Sequence, residues 1–403
     1  MKLSEVPYAT KALFASAVGY AMDGFDLLIL GFILNAISAD FLLTPSQAGS
    51  LVTFTLLGAV AGGIFFGILS DSIGRIKVLN FTIILFALFT GLCSLAQGYW
   101  DLLIYRTIAG IGLGGEFGIG MALASEVSSS GRRARASSFV ALGWQSGVLV
   151  AALATPLLLP MIGWRGMFAV GILPALVSSV LRRWVSHEPE VFESRNKQLN
   201  HFSSLKLLVK DGETIKISLG IFILCAVQNF GYFSLMIWLP TYLSRQFGYT
   251  LTQSSIWTAC TVLGMCVGIW VFGQLADRVG RRPIFFLFQF GAMAMVLLYS
   301  QLTTPIPLLI VGAVMGMFVN GMLGGYGALI SELYPTEVRA TAQNILFNMG
   351  RAIGGLGPLL IGFFMNSYSF SITIAFLASI YLIDVCATAL LIPERKGAPL
   401  PQI

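Results

Sequence analysis

Long apolar stretches recur along almost the whole chain and are separated by short polar turns. Each is long enough to cross the hydrocarbon core of a bilayer as a helix, which takes about 20 residues. Because lipid offers backbone groups no hydrogen-bonding partner, such stretches must be helical. The pattern predicts twelve membrane-spanning helices, here called spans 1 to 12. Their predicted ranges are 11–37, 46–70, 78–97, 100–124, 136–160, 165–184, 215–244, 251–275, 283–302, 305–330, 339–366 and 370–392.

One short polar sequence occurs twice between apolar stretches, as GILSDSIGRIK at 67–77 and GQLADRVGRR at 273–282. In each copy the glycine permits a sharp bend and the arginine supplies fixed positive charge at a membrane face. An offset of 206 positions relates Asp71 to Asp277, Gly74 to Gly280, Arg75 to Arg281, Gly118 to Gly324, Ser125 to Ser331, Glu126 to Glu332, Arg133 to Arg339 and Glu188 to Glu394. The chain is therefore predicted to consist of two repeats of one sequence unit.

The one substantial polar stretch lies between spans 6 and 7. We predict an N-terminal half at 1–184, a cytoplasmic linker at 185–214 and a C-terminal half at 215–403. Composition agrees with a multi-pass membrane protein, since 56% of the residues are hydrophobic and 10% are charged, against about 25% charged in ordinary soluble domains.

The net charge of +6 is explained by membrane topology. With the N-terminus placed in the cytoplasm, 20 of the 24 Lys and Arg fall on the cytoplasmic side. Arg165 and Arg245 fall outside, and Arg106 and Arg351 fall within spans. The positive-inside rule therefore predicts that both termini are cytoplasmic.

The twice-occurring loop resembles the signature between helices 2 and 3 of the major facilitator superfamily, which recurs between helices 8 and 9. RTIAGIGLG at 106–114 resembles the glycine-spaced motif of helix 4, and Glu188-Pro189 and Pro393-Glu394 resemble elements that end each half in sugar-porter relatives. The resemblance covers essentially the whole chain. It implies an all-α membrane protein with twelve transmembrane helices in two pseudo-symmetric six-helix bundles, monomeric in a bacterial inner membrane.

Ionisable residues inside spans are few, and such residues usually mark a transport pathway. Asp23 and Asp26 share one face of span 1, and two carboxylates so close cannot both be charged cheaply. We therefore expect at least one to bind a proton reversibly. The surrounding YAMDGFDLLIL resembles span 1 of aromatic acid:proton and sialate:proton symporters.

Arg106 of span 4 is expected to pair with one of these carboxylates, either releasing it on protonation or acting as a permanent clamp. Glu116, in GLGGEFG, is a further candidate proton site, with a purely structural hydrogen bond as the alternative.

Arg351 is the only cation deep in the C-terminal half, and Asn344 and Asn348 share its helical face. A guanidinium beside amides suits a substrate carboxylate; an ion pair with Asp384 is the alternative. The 206 offset and the helical spacing add polar and aromatic candidates around a central cavity, where carriers bind substrate. These are Gln145, Trp144, Asn229, Tyr232 and Tyr326, of which the aromatic residues are otherwise ordinary packing residues.

Charged residues in and after the loop motifs are predicted to form cytoplasmic networks that hold the outward-open state and break when the halves rock. These gating candidates are Asp71, Arg75, Glu126, Arg133, Asp277, Arg281, Glu332 and Arg339.

The chain has no Walker phosphate-binding loop, no metal-ligand cluster and no histidine within a span, so we expect neither an enzyme nor a bound cofactor. We expect a proton-coupled symporter that imports a small organic anion, such as a sialic acid, an aromatic acid or another carboxylate. The stretch Glu116-Phe117-Gly118 is closer to the sialate type. The rival is a proton-coupled efflux antiporter for drugs or cations, which the lack of a Gly-Pro-rich run in span 5 disfavours.

Overall fold

The computed structural model describes residues 8–173, 208–249, 251–335, 338–364 and 368–396. Regular structure within these ranges is helical throughout. The helices are α1 (Tyr8–Phe41), α2 (Pro45–Ile73), α3 (Arg75–Leu92), α4 (Tyr99–Glu126), α5 (Arg133–Val170), α6 (Gly212–Phe247), α7 (Leu251–Val279), α8 (Arg281–Gln301), α9 (Pro305–Gly321), α10 (Leu323–Leu333), α11 (Arg339–Gly354), α12 (Gly357–Phe364) and α13 (Phe370–Leu391).

These helices follow the predicted spans closely. Ten helical stretches of the described chain are long and apolar enough to cross a membrane. Spans 10 and 11 each consist of two helices, α9 with α10 and α11 with α12. Helix α5 bends at Gly163, where φ is 65°, and continues into the beginning of span 6. The rest of span 6 and most of the predicted linker at 185–214 lie outside the described residues.

Both loop motifs bend where the sequence places a glycine. Gly74 joins α2 to α3 with φ 105°, and Gly280 joins α7 to α8 with φ 127°. Side-chain-bearing residues rarely adopt such angles. The prediction that glycine makes these turns is confirmed. The end of the bundle that holds both turns is called the motif end below.

Glycines let α2 and α4 pack backbone against backbone. A Cβ atom at Gly58 would collide with the carbonyl of Thr107, and one at Gly62 with the carbonyl of Ile111. The same relationship recurs 206 residues later, where Gly264 and Gly268 of α7 abut the carbonyls of Ala313 and Met317 of α9. The internal repeat is therefore preserved in the close contacts as well as in the loops.

The N-terminal half, α1 to α5, meets the C-terminal half, α6 to α13, along two seams. Helix α2 packs against α11, and α5 packs against α7. Large apolar side chains such as Phe65, Leu157 and Leu390 remain exposed on the outer surface, which suits contact with lipid. Some buried charged residues lie at the boundary between the halves, and others lie in the interior of one half.

Candidate functional site

A buried ion pair joins α1 to α4 inside the N-terminal half. Arg106 Nη1 donates to Asp26 Oδ2 at 2.9 Å, and both residues are inaccessible to solvent. The guanidinium carbon also lies 5.8 Å from the centre of the Phe168 ring. Arg106 Nε and Nη2 and the second Asp26 oxygen make no hydrogen bond within the described chain. A single hydrogen bond therefore holds two buried charges together.

The other predicted proton-site residues lie close by in the chain. Asp23 is fully buried one helical turn before Asp26. Tyr20, three residues earlier still, lies within electrostatic range of Asp23. Tyr20 and Asp26 are six residues apart, or about 9 Å along α1. Glu116 belongs to α4, but its side chain lies outside the described residues.

Arg351 is surrounded by aromatic rings where the two halves meet. Its guanidinium carbon lies 4.9 Å from the ring centre of Trp144 and 5.1 Å from that of Phe347. Nη2 donates to the Tyr20 hydroxyl oxygen at 3.4 Å, and Nε has no partner among the described residues. Within that part of the chain no carboxylate pairs with Arg351, and the alternative pairing with Asp384 is not observed.

The rings around Arg351 contact one another and form a continuous wall, here called the aromatic box. It consists of Tyr20, Phe117, Trp144, Tyr232 and Phe347. Tyr20 lies 5.1 Å from Trp144 and 5.5 Å from Phe117 between ring centres. Phe117 of α4 stacks on Phe347 of α11 at 3.6 Å. Trp144 Nε1 donates to the Tyr232 hydroxyl at 3.2 Å, so the box draws on both halves.

The two asparagines predicted beside Arg351 bond to the main chain of α4. Asn344 Oδ1 accepts from the Gly118 amide at 2.8 Å, and Asn348 Nδ2 donates to the Gly114 carbonyl at 2.8 Å. Both bonds cross from one half to the other. In this conformation the two amides therefore link α11 to α4.

The remaining predicted substrate residues are divided between the box and the surrounding core. Trp144 and Tyr232 lie in the box. Gln145 Nε2 donates to a methionine sulfur of α7 at 3.2 Å, and Asn229 donates to a carbonyl of its own helix at 2.8 Å. The Tyr326 hydroxyl donates to a carbonyl of α6 at 2.9 Å. Each of these three side chains thus donates one hydrogen bond within the core in this conformation.

Three members of the box were missed from the sequence. Tyr20 lies three residues before Asp23, and Phe347 lies four residues before Arg351, so helical spacing could have identified both. Phe117 carries no such signal, because its position depends on how α4 packs against α11.

An ion-pair cluster lies at the motif end of the N-terminal half. The Glu126 carboxylate accepts from Arg75 of its own half. It also accepts from Arg339 Nη1 of the other half at 2.9 Å. All three side chains are almost fully buried. One carboxylate thus links the two halves.

The C-terminal half has the equivalent cluster. Glu332 accepts from Arg281 Nη2 at 2.7 Å, and its Oε1 lies 3.7 Å from Arg133 Nη1 of the N-terminal half. Glu332 and Arg281 stand 206 positions after Glu126 and Arg75, and Arg133 stands 206 positions before Arg339. The sequence repeat therefore gives two crossed clusters related by pseudo-symmetry.

Asp277 binds the beginning of α5 across the same boundary. Its carboxylate accepts from the main-chain amides of Ala134 and Arg135, both at 3.1 Å, and pairs with Arg281 at 3.1 Å. A carboxylate at a helix N-terminus is favoured by the helix dipole. Its counterpart Asp71 lies in α2, and its side chain is outside the described residues.

The opposite end of the bundle has an exposed contact between α1 and α5. Arg165 Nη1 and Trp164 Nε1 donate to Asp40 Oδ2 at 2.6 and 3.1 Å. These hydrogen bonds lower the pKa of Asp40 below its ordinary value. The Arg165 guanidinium also lies over the Trp164 ring at 4.1 Å.

Comparison with known proteins identifies the family. The model of the Major Facilitator Superfamily matches residues 16–299 and 221–402. The chain belongs to the Major Facilitator Superfamily. It is similar in fold to the proton:xylose symporter XylE, with a TM-score of 0.80 at 20% identity over 98% of each chain. The predicted all-α, twelve-helix architecture is thereby confirmed.

Curated relatives of this superfamily member are metabolite transporters. A putative metabolite transport protein of Haemophilus influenzae is 64% identical over 98% of both chains. A probable 4-methylmuconolactone transporter of Cupriavidus pinatubonensis is 32% identical, covering 98% of this chain and 93% of the relative. The sialic acid transporter NanX of Escherichia coli is 28% identical, covering 96% and 93%. The chain is a multi-pass membrane transporter and not an enzyme.

Proposed function

We propose that this transporter imports a small organic carboxylate together with protons by alternating access. The observation that supports this most directly is Arg351, a permanently charged guanidinium that is buried between the halves and whose one hydrogen-bond partner within the described chain is a tyrosine hydroxyl. A buried unpaired charge is costly. An anionic substrate would supply the missing negative charge through paired hydrogen bonds, which the planar guanidinium accommodates well.

The walls of the aromatic box favour a flat, unsaturated carboxylate within this class. Trp144, Phe347 and Phe117 supply apolar rings, and the hydroxyls of the box belong to Tyr20, which bonds to Arg351, and Tyr232, which bonds to Trp144. A sialic acid carries many hydroxyl groups, each of which needs a partner when buried. The 4-methylmuconolactone named for one relative is a compact unsaturated acid, which agrees with such a box.

The proposed proton site is the Asp23 and Asp26 pair with Arg106. Protonation of Asp26 would remove the charge that holds Arg106 and would leave the guanidinium to reorient. The pair lies on α1, as does Tyr20, which contacts Arg351 directly. A movement of helix α1 would therefore displace both the carboxylates and the tyrosine that bonds to the proposed anion site. The side chain of Glu116 lies outside the described residues, so Glu116 remains a predicted proton site.

The proposed driving force depends on stoichiometry. One monovalent anion entering with one proton moves no net charge, so only the pH gradient drives it, by about 1.4 kcal/mol or tenfold per pH unit. A second proton would add about 2.3 kcal/mol for each 100 mV of membrane potential.

The proposed gate is the pair of crossed clusters at the motif end. Glu126 and Glu332 hold the halves together there, which supports a conformation closed at that end. The positive-inside rule predicts that this end is cytoplasmic, as are both termini, in a bacterial inner membrane. Opening to the cytoplasm would then require both clusters to separate, in a transporter that we expect to act as a monomer.

The decisive experiment is uptake into proteoliposomes with and without an inward pH gradient. Labelled muconate, benzoate and sialic acid are compared, each with the wild-type protein and with Arg351→Gln. We expect gradient-dependent accumulation of a flat carboxylate that Arg351→Gln abolishes. Accumulation of sialic acid alone would overturn the substrate preference. Export of a preloaded cationic dye without uptake of any anion would overturn the import assignment in favour of an antiporter.

A further inference from the structure

A second buried carboxylate lies in the core of the C-terminal half, away from the aromatic box. Asp384 of α13 is completely inaccessible to solvent. Tyr381 and Thr388 lie on the same helical face, one turn to either side. Gln289 of α8 faces this group of side chains and donates its Nε2 to Thr388 Oγ1 at 2.7 Å. All four residues are fully buried.

The free hydrogen-bonding atoms of this cluster are almost all oxygens. Neither carboxylate oxygen of Asp384 has a hydrogen-bond partner in the described chain, and the same holds for Gln289 Oε1 and the Tyr381 hydroxyl. Gln289 is close to Asp384, and one of its two amide hydrogens is donated to Thr388. An ionised carboxylate that is buried in a membrane interior without a hydrogen-bond partner is strongly unfavourable. A protonated carboxyl, by contrast, can donate to one of these oxygens.

No described cation is placed to neutralise Asp384. The titratable groups that face it are Cys225 of α6, Tyr326 of α10 and Tyr381 of α13, all neutral at ordinary pH. Arg351 is held in the aromatic box. From α8 the nearest guanidinium is that of Arg282, which donates to the main-chain carbonyls of Thr388 and Ala389 instead.

The cluster extends towards the motif end. Thr388 lies one turn nearer the motif end than Asp384, and the half-buried Arg282 bonds to the carbonyl of Thr388 at 3.2 Å. Beyond it, Glu394 accepts from the Arg282 amide at 2.8 Å at the beginning of α8. Asp384, Gln289, Thr388 and Arg282 thus form a polar line from the core to the motif end.

We propose that Asp384 is a second proton-binding site, which holds its proton in this conformation and exchanges it with the motif end along Gln289 and Thr388. On release, the carboxyl O–H bond breaks and the proton passes to water at that face, leaving an ionised Asp384. Because the line runs to the motif end, this proton exchanges with that side in the proposal and is not transported. It makes the rate of the cycle sensitive to pH on the side of the motif end.

Infrared difference spectroscopy of the reconstituted protein tests the site without any substrate. Protonated carboxyls in apolar surroundings give a C=O band separate from that of ionised carboxylates. We expect Asp384→Asn to remove one such band at neutral pH and Asp384→Glu to shift it. Asp26→Asn and the half-buried Asp101→Asn should leave that band unchanged. A band that survives Asp384→Asn, with loss of a carboxylate band instead, would overturn the proposal.

Transport assays then separate this site from the coupling proton. Uptake is measured at fixed external pH while the pH on the motif-end side is raised. The wild-type rate is expected to fall severalfold despite the larger pH gradient, whereas the rate of Asp384→Asn, which mimics the protonated form, should not fall, and its proton-to-substrate ratio should be unchanged. A changed ratio would mean that Asp384 carries a transported proton. A Na⁺ dependence lost in Asp384→Asn would mean that the site binds Na⁺; either result overturns the assignment.

Discussion

Glu126 of the N-terminal half lies 2.9 Å from Arg339 of the C-terminal half, and this relationship repeats between Glu332 and Arg133 at 3.7 Å. Removing one partner of a buried ion pair leaves an uncompensated charge, at a cost of roughly 3–5 kcal/mol. We therefore expect Glu126→Gln to weaken closure of the motif end. Hydrogen exchange should rise at the end of α4 and the beginning of α11.

Glu332→Gln provides the matched control for this prediction. Pseudo-symmetry predicts a similar rise in exchange at the end of α10 and the beginning of α5. If neither variant changes exchange between the halves, the clusters stabilise only their own loops and are not a gate.

Substitution of Arg351 tests whether its guanidinium group binds the substrate. Arg351→Lys keeps the positive charge but loses the planar fork that rests on Trp144 and Phe347. Hydrogen bonds to charged groups contribute about 1.5–3 kcal/mol, so we expect substrate affinity to fall roughly 10- to 150-fold in either Arg351→Lys or Arg351→Gln. Equilibrium binding by calorimetry measures this directly.

Tyr20→Phe is the milder companion variant, because it removes one neutral hydroxyl and keeps the ring. An effect below about tenfold is expected. Affinity that is unchanged in Arg351→Gln would exclude Arg351 as the anion site.

The Asp26 and Arg106 pair is expected to behave as a unit. Asp26→Asn should abolish accumulation driven by a pH gradient while leaving substrate counterflow, which moves no net proton. It also leaves Arg106 buried without its partner, so the free energy of unfolding should fall by roughly 3–5 kcal/mol.

The double variant Asp26→Asn with Arg106→Gln should recover part of that stability, as measured by thermal unfolding in detergent. Full gradient-driven accumulation in Asp26→Asn would assign the proton to another group, with Asp23 and Glu116 as the next candidates.

Two glycines within the predicted spans should respond in opposite ways to alanine. A Cβ atom at Gly62 meets the Ile111 carbonyl of α4, whereas one at Gly31 has no neighbour within 4 Å. Gly62→Ala should force α2 and α4 apart and destabilise the fold by about 1–3 kcal/mol. Gly31→Ala should be neutral or stabilising by up to about 1 kcal/mol. Equal melting temperatures for the two variants would contradict this packing.

The contact of Asp40 with Arg165 should be sensitive to acid. The hydrogen bonds from Arg165 and Trp164 lower the folded-state pKa of Asp40, so their stabilising effect is complete above the ordinary pKa of about 3.9. It is lost as pH falls through the lower, folded-state value. Trp164 fluorescence should therefore change below about pH 4, and in Arg165→Gln the midpoint should move to higher pH. An unmoved midpoint would mean that Arg165 does not set this pKa.

The sequence by itself determined the architecture and the internal symmetry of this protein. Apolar length dictates spanning helices, because lipid leaves the backbone no other way to satisfy its hydrogen bonds. The repeated Gly74 and Gly280 correctly marked the two tight turns, since few other residues tolerate positive φ. Helical spacing also placed Asp23 and Asp26, and Arg351 with its asparagines, on common faces.

Only the tertiary structure decided what those faces meet. Spacing along one helix cannot show that Asn344 bonds to α4 while Arg351 lies among aromatic rings, because both outcomes depend on how two different helices pack. It likewise could not choose between Asp23 and Asp26 as the partner of Arg106, or show that Asp384 is buried with no cation beside it among the described residues. Local sequence determines which way a side chain points on its own helix, whereas its partner is set by contacts between residues far apart in the chain.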